Sequence, residues 1–272
     1  MARPGDRALA LALAALTAEA GRLILEIAKA GAEGRLKGDG SPVTLCDERA
    51  EEFLLEGLAG LLPGVPVVAE ESASRGVVPA AASDFLLVDP LDGTKEFIAG
   101  RDCYTVNVGL IAAGEPVAGA LHAPAQGRSW AGAADAGAWG ARHDLGAIPA
   151  AASFFPIATR PPAVPPVALT SHSHMEAESL AFLDRIGAGE RRPVGSSLKF
   201  AEIAEGLADV YPRFGPTMEW DTAAGHAVLA AAGGVVLTPG GQPFRYGHAE
   251  RGYRNGPFVA WGRDPGPDSP VG

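Results

Sequence analysis

The sequence contains few cysteines and fewer basic than acidic residues. Cys46 and Cys103 are the only cysteines among 272 residues, too few for a disulfide framework, and they indicate a reducing compartment. The 22 Lys and Arg residues against 32 Asp and Glu residues give a formal net charge of −10. This balance argues against a general nucleic-acid-binding protein, although local cations can still bind an anionic substrate. No uninterrupted apolar run reaches the ~18 residues of a membrane-spanning helix, so we expect none.

The N-terminal segment admits two interpretations. Arg3 and Arg7 lie before or at the start of an apolar run over residues 8–16, as in a signal peptide. The apolar residues continue at three- and four-residue spacing to Ile27, however, and Gly31 follows. That pattern predicts a single amphipathic helix, which cleavage near Ala20 would divide. We therefore predict a cytoplasmic protein and leave open a peripheral association with the inner face of the membrane.

The rest of the chain alternates between strand and helix patterns. Hydrophobic residues make up 47% of it, enough for a buried core without disulfides. A second helix is predicted over residues 47–62, and strands over 65–69, 85–89, 105–111 and 117–122. Five prolines within residues 156–166 mark the predicted domain boundary. We predict an α/β protein: an α+β metal-binding domain at 1–155, an α/β domain at 156–262 that contributes Asp221 and substrate contacts, and a flexible tail at 263–272.

Two carboxylates stand three positions apart at the end of a predicted strand. Asp89 closes an apolar stretch, Pro90 restricts the next backbone angle, and Gly93 permits a tight turn. Asp92 is thereby brought near Asp89, and two like charges about 4 Å apart repel by about 4 kcal/mol at an effective dielectric constant of 20. The pair must share a proton or bind a cation, and such oxygen ligands suit Mg²⁺. The alternative is a polar turn that caps the next segment.

Further acidic residues lie at the ends of other predicted segments. Glu70 and Glu71 follow the strand at 65–69, and Asp221 opens a helix predicted over 222–232. Taken singly, the first pair fits a solvated turn and Asp221 fits a helix N-cap. Taken together with Asp89 and Asp92, they predict a metal site assembled from distant segments.

These motifs resemble the paired signature of the inositol monophosphatase superfamily. Residues 89–94 correspond to its first part and residues 220–225 to its second, and Glu70-Glu71-Ser72 stands at the matching place upstream. Residues 94–97, 195–200 and 208–217 are similar in particular to the 3'(2'),5'-bisphosphate nucleotidases of the bacterial CysQ type. The resemblance covers roughly residues 8–261, and it implies a layered αβαβα sandwich.

The resemblance also implies a site for two or three Mg²⁺ ions, which would lower the pKa of a bound water and polarise the phosphoryl group. Asp39 and Lys37 lie on a loop that would close over these ions, and their roles, like that of Cys46, stay open. The implied metal ligands are Glu70, Asp89, the backbone carbonyl of Leu91, Asp92 and Asp221.

A smaller set of residues is implied to act on the attacking water. Thr94, paired with Asp47, would position and deprotonate it, and Glu70 counts among the catalytic residues as well as the ligands. Gly93 would let a backbone N–H approach the phosphate. Without the resemblance, Asp47 is better explained as a helix cap.

Other residues are candidates for reading a second anionic group on the substrate. Ser196 and Ser197 precede a helix predicted from residue 198, and helix N-termini bind phosphates. Lys199 and Arg213 could donate charge-assisted hydrogen bonds to a second phosphate. The alternative is that both cations lie at solvated positions without a ligand. For His174, which lies in a predicted loop, the alternative is an ordinary surface residue. The remaining predicted substrate contacts are Gly93, Thr94, His174 and Asp221.

The expected function is Mg²⁺-dependent removal of the 3'-phosphate of adenosine 3',5'-bisphosphate, giving AMP and phosphate in support of sulfate assimilation. 3'-Phosphoadenosine 5'-phosphosulfate is a second expected substrate, and the resemblance implies inhibition by lithium. The alternatives are an inositol-1-phosphate or fructose-1,6-bisphosphate phosphatase of the same superfamily and a non-catalytic nucleotide-binding regulator. We expect a small-molecule substrate, no nucleic-acid polymer and no transmembrane segment, in a monomer or a homodimer.

Overall fold

The computed structural model describes residues 6–31, 34–36, 42–172 and 176–266. Its helices are α1 Arg7–Lys29, α2 Leu45–Leu61, α3 Glu70–Ser74, α4 Thr94–Ile98, α5 Ala177–Arg185, α6 Leu198–Ala204 and α7 Glu219–Ala231. Its strands are β1 Gly34–Leu36, β2 Pro42–Thr44, β3 Val67–Ala69, β4 Asp84–Asp92, β5 Thr105–Ala112, β6 Glu115–Ala123, β7 Arg128–Ala133, β8 Gly137–Arg142, β9 Phe155–Ile157, β10 Ala168–Ser171, β11 Arg191–Val194, β12 Val210–Arg213, β13 Val235–Leu237 and β14 Phe258–Trp261.

Seven strands form the first large sheet, in the order β3-β4-β5-β6-β7-β8-β9. Only the β3–β4 pair is parallel, and the remaining neighbours are antiparallel. Helices α1 and α2 cover one face, because α1 buries Leu9, Leu13 and Ile24 at helical spacing and α2 buries Leu54 and Leu58. These two helices and the sheet are the first two layers of the molecule.

Helix α7 lies on the opposite face of this sheet, across a row of three paired glycines. Gly109 in β5 stands opposite Gly119 in β6, which stands opposite Gly132 in β7. A Cβ on Gly119 would come within 2.8 Å of the Ala224 carbonyl oxygen of α7. The absence of side chains therefore lets the helix backbone approach the sheet closely, and α7 contributes only small residues to much of that contact.

A second, five-stranded sheet closes the far side of this helix layer. Its order is β11-β10-β12-β14-β13, with β12–β14 and β14–β13 antiparallel. Phe200 of α6 stacks on Phe258 of β14, so α6 and α7 lie between the two sheets. Helix α5 packs Phe182 and Leu183 on the outer face, against Trp261. The five layers, helix–sheet–helix–sheet–helix, confirm the predicted αβαβα class.

The structure places several boundaries of strands, helices and domains differently from the sequence prediction. Strand β4 continues through Asp92 instead of turning after Asp89, with an irregularity in its pairing to β5 between these residues; Pro90 between them has no N–H to donate to the ladder. Helix α7 begins at Glu219, which makes Asp221 its third residue and not its N-cap. The predicted division between residues 155 and 156 falls inside β9, which still belongs to the first sheet.

Helix α1 is the one described segment that could be mistaken for a membrane span. By length and composition alone it is long and apolar enough to cross a membrane, with a mean hydropathy of 1.7 over its most apolar window. Its buried residues, Leu9 to Ile24, pack on the first sheet and on α2. In the structure α1 is therefore a core helix, as its amphipathic pattern predicts.

The close packing of α7 on the three paired glycines predicts that an added side chain there lowers the free energy of unfolding. Gly119→Ala should destabilise the fold by about 1–3 kcal/mol, because the new Cβ overpacks the contact with α7. Gly60→Ala is the matched control: Gly60 lies in α2, and no atom lies within 4 Å of the place that its Cβ would take. This control should be neutral or stabilising by about 0.5–1 kcal/mol. Urea unfolding measures both. Equal urea midpoints for Gly119→Ala and the unaltered protein would refute the packing argument.

Candidate active site

Four acidic side chains from three elements converge at one end of the first sheet. Glu70 opens α3 directly after β3, and Asp89 and Asp92 lie at the end of β4, the parallel neighbour of β3. Asp221 is brought beside them by the first turn of α7. Asp89 is 1% exposed, whereas Asp92 and Asp221 line a cavity. The convergence predicted from the sequence is therefore present in the structure.

Each aspartate is held by hydrogen bonds to one of its carboxylate oxygens. Asp89 Oδ1 accepts the Leu91 N–H at 3.0 Å, and Asp221 Oδ2 accepts the Met218 N–H at 2.7 Å. Asp92 Oδ2 accepts the Ser196 hydroxyl at 2.6 Å and the Ser197 N–H at 2.7 Å. Among the described residues, no hydrogen bond uses the second oxygen of these three carboxylates. The backbone thus fixes the carboxylates and leaves one oxygen of each available.

The electrostatic environment of these groups is unfavourable for three negative charges. Burial raises the pKa of Asp89 well above its ordinary value, and the neighbouring charges of Glu70, Asp92 and Asp221 raise it further. Burial, followed by the charges of Asp92 and Glu70, has the same effect on the pKa of Asp221. The pKa of Asp92 is raised by burial but is lowered in part by Ser196 and Lys199. A divalent cation would relieve this repulsion.

The donor set fits Mg²⁺ by its chemistry. It consists of hard carboxylate oxygens, several of them buried and mutually repelling, which is the ligand type that Mg²⁺ prefers. Within the part of the chain that the structure describes, no three His, Cys, Asp or Glu side chains already enclose a common point. The fit to Mg²⁺ therefore rests on the chemistry of these oxygen donors and on their convergence at one end of the sheet.

Beside the carboxylates lies a hydrogen-bonded relay of two threonines and an aspartate. The Thr94 hydroxyl is 3.0 Å from Asp47 Oδ1 and 3.1 Å from the Leu91 carbonyl oxygen. Asp47 Oδ2 accepts the Thr44 N–H at 2.7 Å and the Thr44 hydroxyl at 2.6 Å. Thr44 is the N-cap of α2, and Asp47 is the N3 residue of its capping box. Asp47 thus supports the start of the helix, as a capping role predicts, and is also the partner of Thr94. Burial raises the pKa of Asp47, and the hydrogen bonds from Thr44 and Thr94 oppose this.

A cavity of about 730 Å³ extends from the carboxylates toward two buried cations. Lys199 and Arg213 are 5% and 8% exposed and both line it. Burial lowers the pKa of Lys199 to about 8, and its ammonium lies 4.9 Å from the centre of the Tyr211 ring. Arg213 forms an ion pair with Glu176 at 2.9 Å. The predicted cations therefore face the same cavity as the acidic site, although each already has protein partners.

Ser196 and Ser197 are directed toward the carboxylate site in a different way from the one expected. Helix α6 has only seven residues, and the Ser197 N–H at its start donates to Asp92. The Ser196 hydroxyl also donates to Asp92. In the structure these donors orient a carboxylate, and their contact with a phosphate stays a prediction. Lys37, Asp39 and His174 lie outside the described residues.

Sequence reasoning missed the residues that support this arrangement. Thr105 and Asn107 of β5 are fully buried and hydrogen-bond the two serines: the Thr105 hydroxyl is 2.6 Å from Ser196 Oγ, and the Ser197 hydroxyl donates to Asn107 Oδ1 at 2.8 Å. Glu176 was missed as well. A polar Thr and Asn within an apolar strand pattern were the only available signal, and it did not identify their partners some 90 residues away.

The amino-acid sequence matches a known protein family over nearly its whole length. Residues 6–259 match the model of the inositol monophosphatase family. The chain belongs to the inositol monophosphatase family. The 3'(2'),5'-bisphosphate nucleotidase CysQ of Escherichia coli K12 is 42% identical over 214 residues, which cover 77% of this chain and 81% of the relative. CysQ of Buchnera aphidicola is 36% identical over 220 residues, covering 79% of this chain and 78% of that protein.

Solved structures agree with this assignment. CysQ from Bacteroides thetaiotaomicron, described as a bacterial member of the inositol monophosphatase family, has a TM-score of 0.79 at 32% identity, covering 94% of this chain and 97% of that one. The IMPase of Thermotoga maritima has a TM-score of 0.71 at 22% identity over 91% and 89% of the two chains, which shows the shared fold alone. The resemblance inferred from the motifs is therefore confirmed.

The raised pKa of Asp89 predicts a pH-dependent stability without metal. The folded state holds this proton more tightly than the unfolded state, so stability falls as pH rises from the ordinary value of 3.8 through the raised one. In EDTA, Asp89→Asn should therefore become progressively more stable than the unaltered protein as pH rises, and Mg²⁺ should reverse the order. Urea unfolding between pH 4 and 8 measures the difference. A difference that does not change with pH would contradict the raised pKa of Asp89.

Proposed function

We propose that this protein is a Mg²⁺-dependent phosphatase that removes the 3'-phosphate of adenosine 3',5'-bisphosphate to give AMP and phosphate. The observation that carries the proposal is the placement of acidic, hydroxyl and cationic side chains on one cavity, which Glu70, Asp92, Asp221, Thr94, Lys199 and Arg213 line. Asp89 is buried beside this acidic set, and Asp47 contacts the site through its hydrogen bond with Thr94. The names of the CysQ relatives support the same reaction. 3'-Phosphoadenosine 5'-phosphosulfate is proposed as a second substrate, with a role in sulfate assimilation in the cytoplasm.

The acidic set is proposed to hold two or three Mg²⁺ ions through the side chains of Glu70, Asp89, Asp92 and Asp221 and the carbonyl of Leu91. When bound, these ions would polarise the phosphoryl group, lower the pKa of the attacking water and stabilise charge on the leaving oxygen. The chain's own contribution is to keep the carboxylates in place, which the backbone N–H groups of Leu91, Ser197 and Met218 do.

The relay next to the ions is proposed to orient the attacking water and take its proton. When the Thr94 hydroxyl donates to Asp47 Oδ1, the lone pairs of Thr94 Oγ1 are left to accept a hydrogen bond from water. The raised pKa of Asp47 makes this carboxylate a better proton acceptor at the end of the relay. The two hydrogen bonds from Thr44 fix the other carboxylate oxygen of Asp47, Oδ2.

The second phosphate is proposed to bind at the far wall of the cavity. Lys199 donates to the carbonyls of Val194 and Ser196, so its third N–H is left for a ligand. Arg213 lies on the same strand face as Tyr211, two residues along β12, and therefore points toward the cavity. Because both cations are buried, a phosphate there would form strong charge-assisted hydrogen bonds.

The substrate assignment is tested by phosphate release at fixed Mg²⁺ from adenosine 3',5'-bisphosphate, inositol-1-phosphate and fructose-1,6-bisphosphate. We expect the nucleotide to be preferred by at least about 100-fold in kcat/KM, since each charged hydrogen bond contributes about 1.5–3 kcal/mol. Lys199→Gln and Arg213→Gln should each reduce kcat/KM for the nucleotide about 10–100-fold and leave inositol-1-phosphate largely unaffected. Thr94→Ala is the contrasting variant and should lower kcat for every substrate by roughly 10²–10⁴-fold.

Two results would overturn this assignment. Comparable kcat/KM values for the three substrates would show that only the transferred phosphate is recognised. Equal losses on all substrates in Lys199→Gln and Arg213→Gln would place these cations in support of the metal site instead of at a second phosphate. Either result would leave the metal-dependent phosphatase activity standing.

A further inference from the structure

A buried glutamate on α2 contacts the segment that carries Glu70. Glu51 is 1% exposed. Its Oε2 accepts the Glu71 N–H at 2.7 Å, and its Oε1 accepts the Ser72 hydroxyl at 2.6 Å and a longer contact of 3.3 Å from Arg75 Nη2. All three partners belong to α3 or to the residue directly after it.

These contacts supply what α3 lacks. The helix has five residues, and its N-cap residue Ala69 has no side chain that can accept a hydrogen bond. The N–H groups in the first turn of a helix have no partners within the helix, and a single turn is not stable by itself. Glu51 therefore caps α3 from another helix: it accepts the Glu71 N–H and places negative charge at the positive end of the helix.

The same helix also holds the relay residue of the site. Asp47 and Glu51 are four residues apart on α2, so they lie on one face of the helix and about 6 Å apart along its axis. Asp47 accepts a hydrogen bond from Thr94, and Glu51 fixes the residue that follows Glu70. One rigid helix thus sets the position of the relay and that of a metal-ligand segment at the same time.

We propose that Glu51 is a positioning residue that holds Glu70 at the distance from Asp47 and Thr94 that Mg²⁺ binding requires. The proposal rests on the proposed function in one respect, the role of Glu70 as a metal ligand. Glutamine cannot replace Glu51 fully. With its amide oxygen on the Glu71 N–H, its NH₂ group faces the Ser72 hydroxyl, which can turn to accept a hydrogen bond, and the Arg75 guanidinium, which has only donors. Loss of such an outer-shell partner typically weakens metal affinity by about 10–100-fold.

The test uses Mg²⁺ alone and needs no substrate. Metal-free protein is titrated with MgCl₂ at a fixed temperature in a calorimeter, and the Mg²⁺ concentration at half-saturation is recorded as the midpoint. The Tm is measured beside it with and without Mg²⁺. Glu51→Gln should raise this midpoint by about 10-fold or more. Ser72→Ala removes one of the hydrogen bonds, changes no charge and preserves the Glu71 contact, so it should fold and raise the midpoint several-fold. It separates the effect of positioning from the effect of removing a charge.

Two control variants separate positioning from general instability. Glu52→Gln neutralises the neighbouring glutamate, which is exposed and paired with Arg49, and it should not change the midpoint. Leu58→Val alters a buried core residue of the same helix; it should lower the Tm without Mg²⁺ and leave the midpoint unchanged. The expected pattern is a shifted Mg²⁺ midpoint only in the Glu51 and Ser72 variants.

Three outcomes would overturn the proposal. The first is a midpoint for Glu51→Gln equal to that of Glu52→Gln. The second is an equal shift in Leu58→Val, which would make the effect one of stability alone. The third is an unaltered protein whose Tm does not respond to Mg²⁺; this result would also remove the metal site from the proposed function, whereas the first two would leave that function intact.

Discussion

Repulsion between carboxylates that the fold forces together is the constraint around which this molecule is organised. Asp89 is buried, and its pKa is raised by burial and by the charges of Glu70, Asp92 and Asp221. Hydrophobic packing elsewhere must offset this unfavourable arrangement in the metal-free protein. The arrangement becomes favourable when a divalent cation neutralises it. Without a cation, these carboxylates are therefore an unfavourable electrostatic arrangement, which a bound cation would relieve.

The fold brings these charges together through close backbone packing. Helix α7 can lie against the first sheet because Gly109, Gly119 and Gly132 place no side chains on the sheet surface that faces the helix. The first turn of α7 then carries Asp221 to the end of β4, where Asp89 and Asp92 lie. On the other face of the sheet, α2 contributes Asp47 to the same end. Layers of helix on both sides of one sheet therefore supply different parts of one site.

The parts of this site that have a local signature could be predicted from the sequence. Asp89 and Asp92 stand out because a proline and a glycine accompany them at the end of an apolar stretch, and the helices α1 and α2 follow from apolar spacing. The supporting contacts could not be predicted in this way. Glu51 resembles any polar residue of an amphipathic helix, and its partners lie about twenty residues further along the chain. Its function is set by tertiary packing, which leaves no periodic pattern.

A similar reason explains the different placement of Ser196 and Ser197. Their position before a helix indicates free N–H donors, and that inference is correct for an isolated helix. In the folded chain, Asp92 from the first sheet reaches the same donors. Thr105 and Asn107 then complete a hydrogen-bond network that joins the first sheet to α6. The sequence motifs thus indicate which polar groups are present, whereas the structure shows which donor bonds to which acceptor.

The most direct measurement of the central claim is the anomalous scattering of crystals soaked in Mn²⁺, which replaces Mg²⁺ at sites made of carboxylate and carbonyl oxygens. We expect anomalous peaks within coordination distance of Glu70, Asp89, Asp92 and Asp221, and loss of at least one peak in crystals of Asp221→Asn. Peaks absent from this cluster, or bound only by other residues, would contradict the claim that these carboxylates are assembled to hold metal.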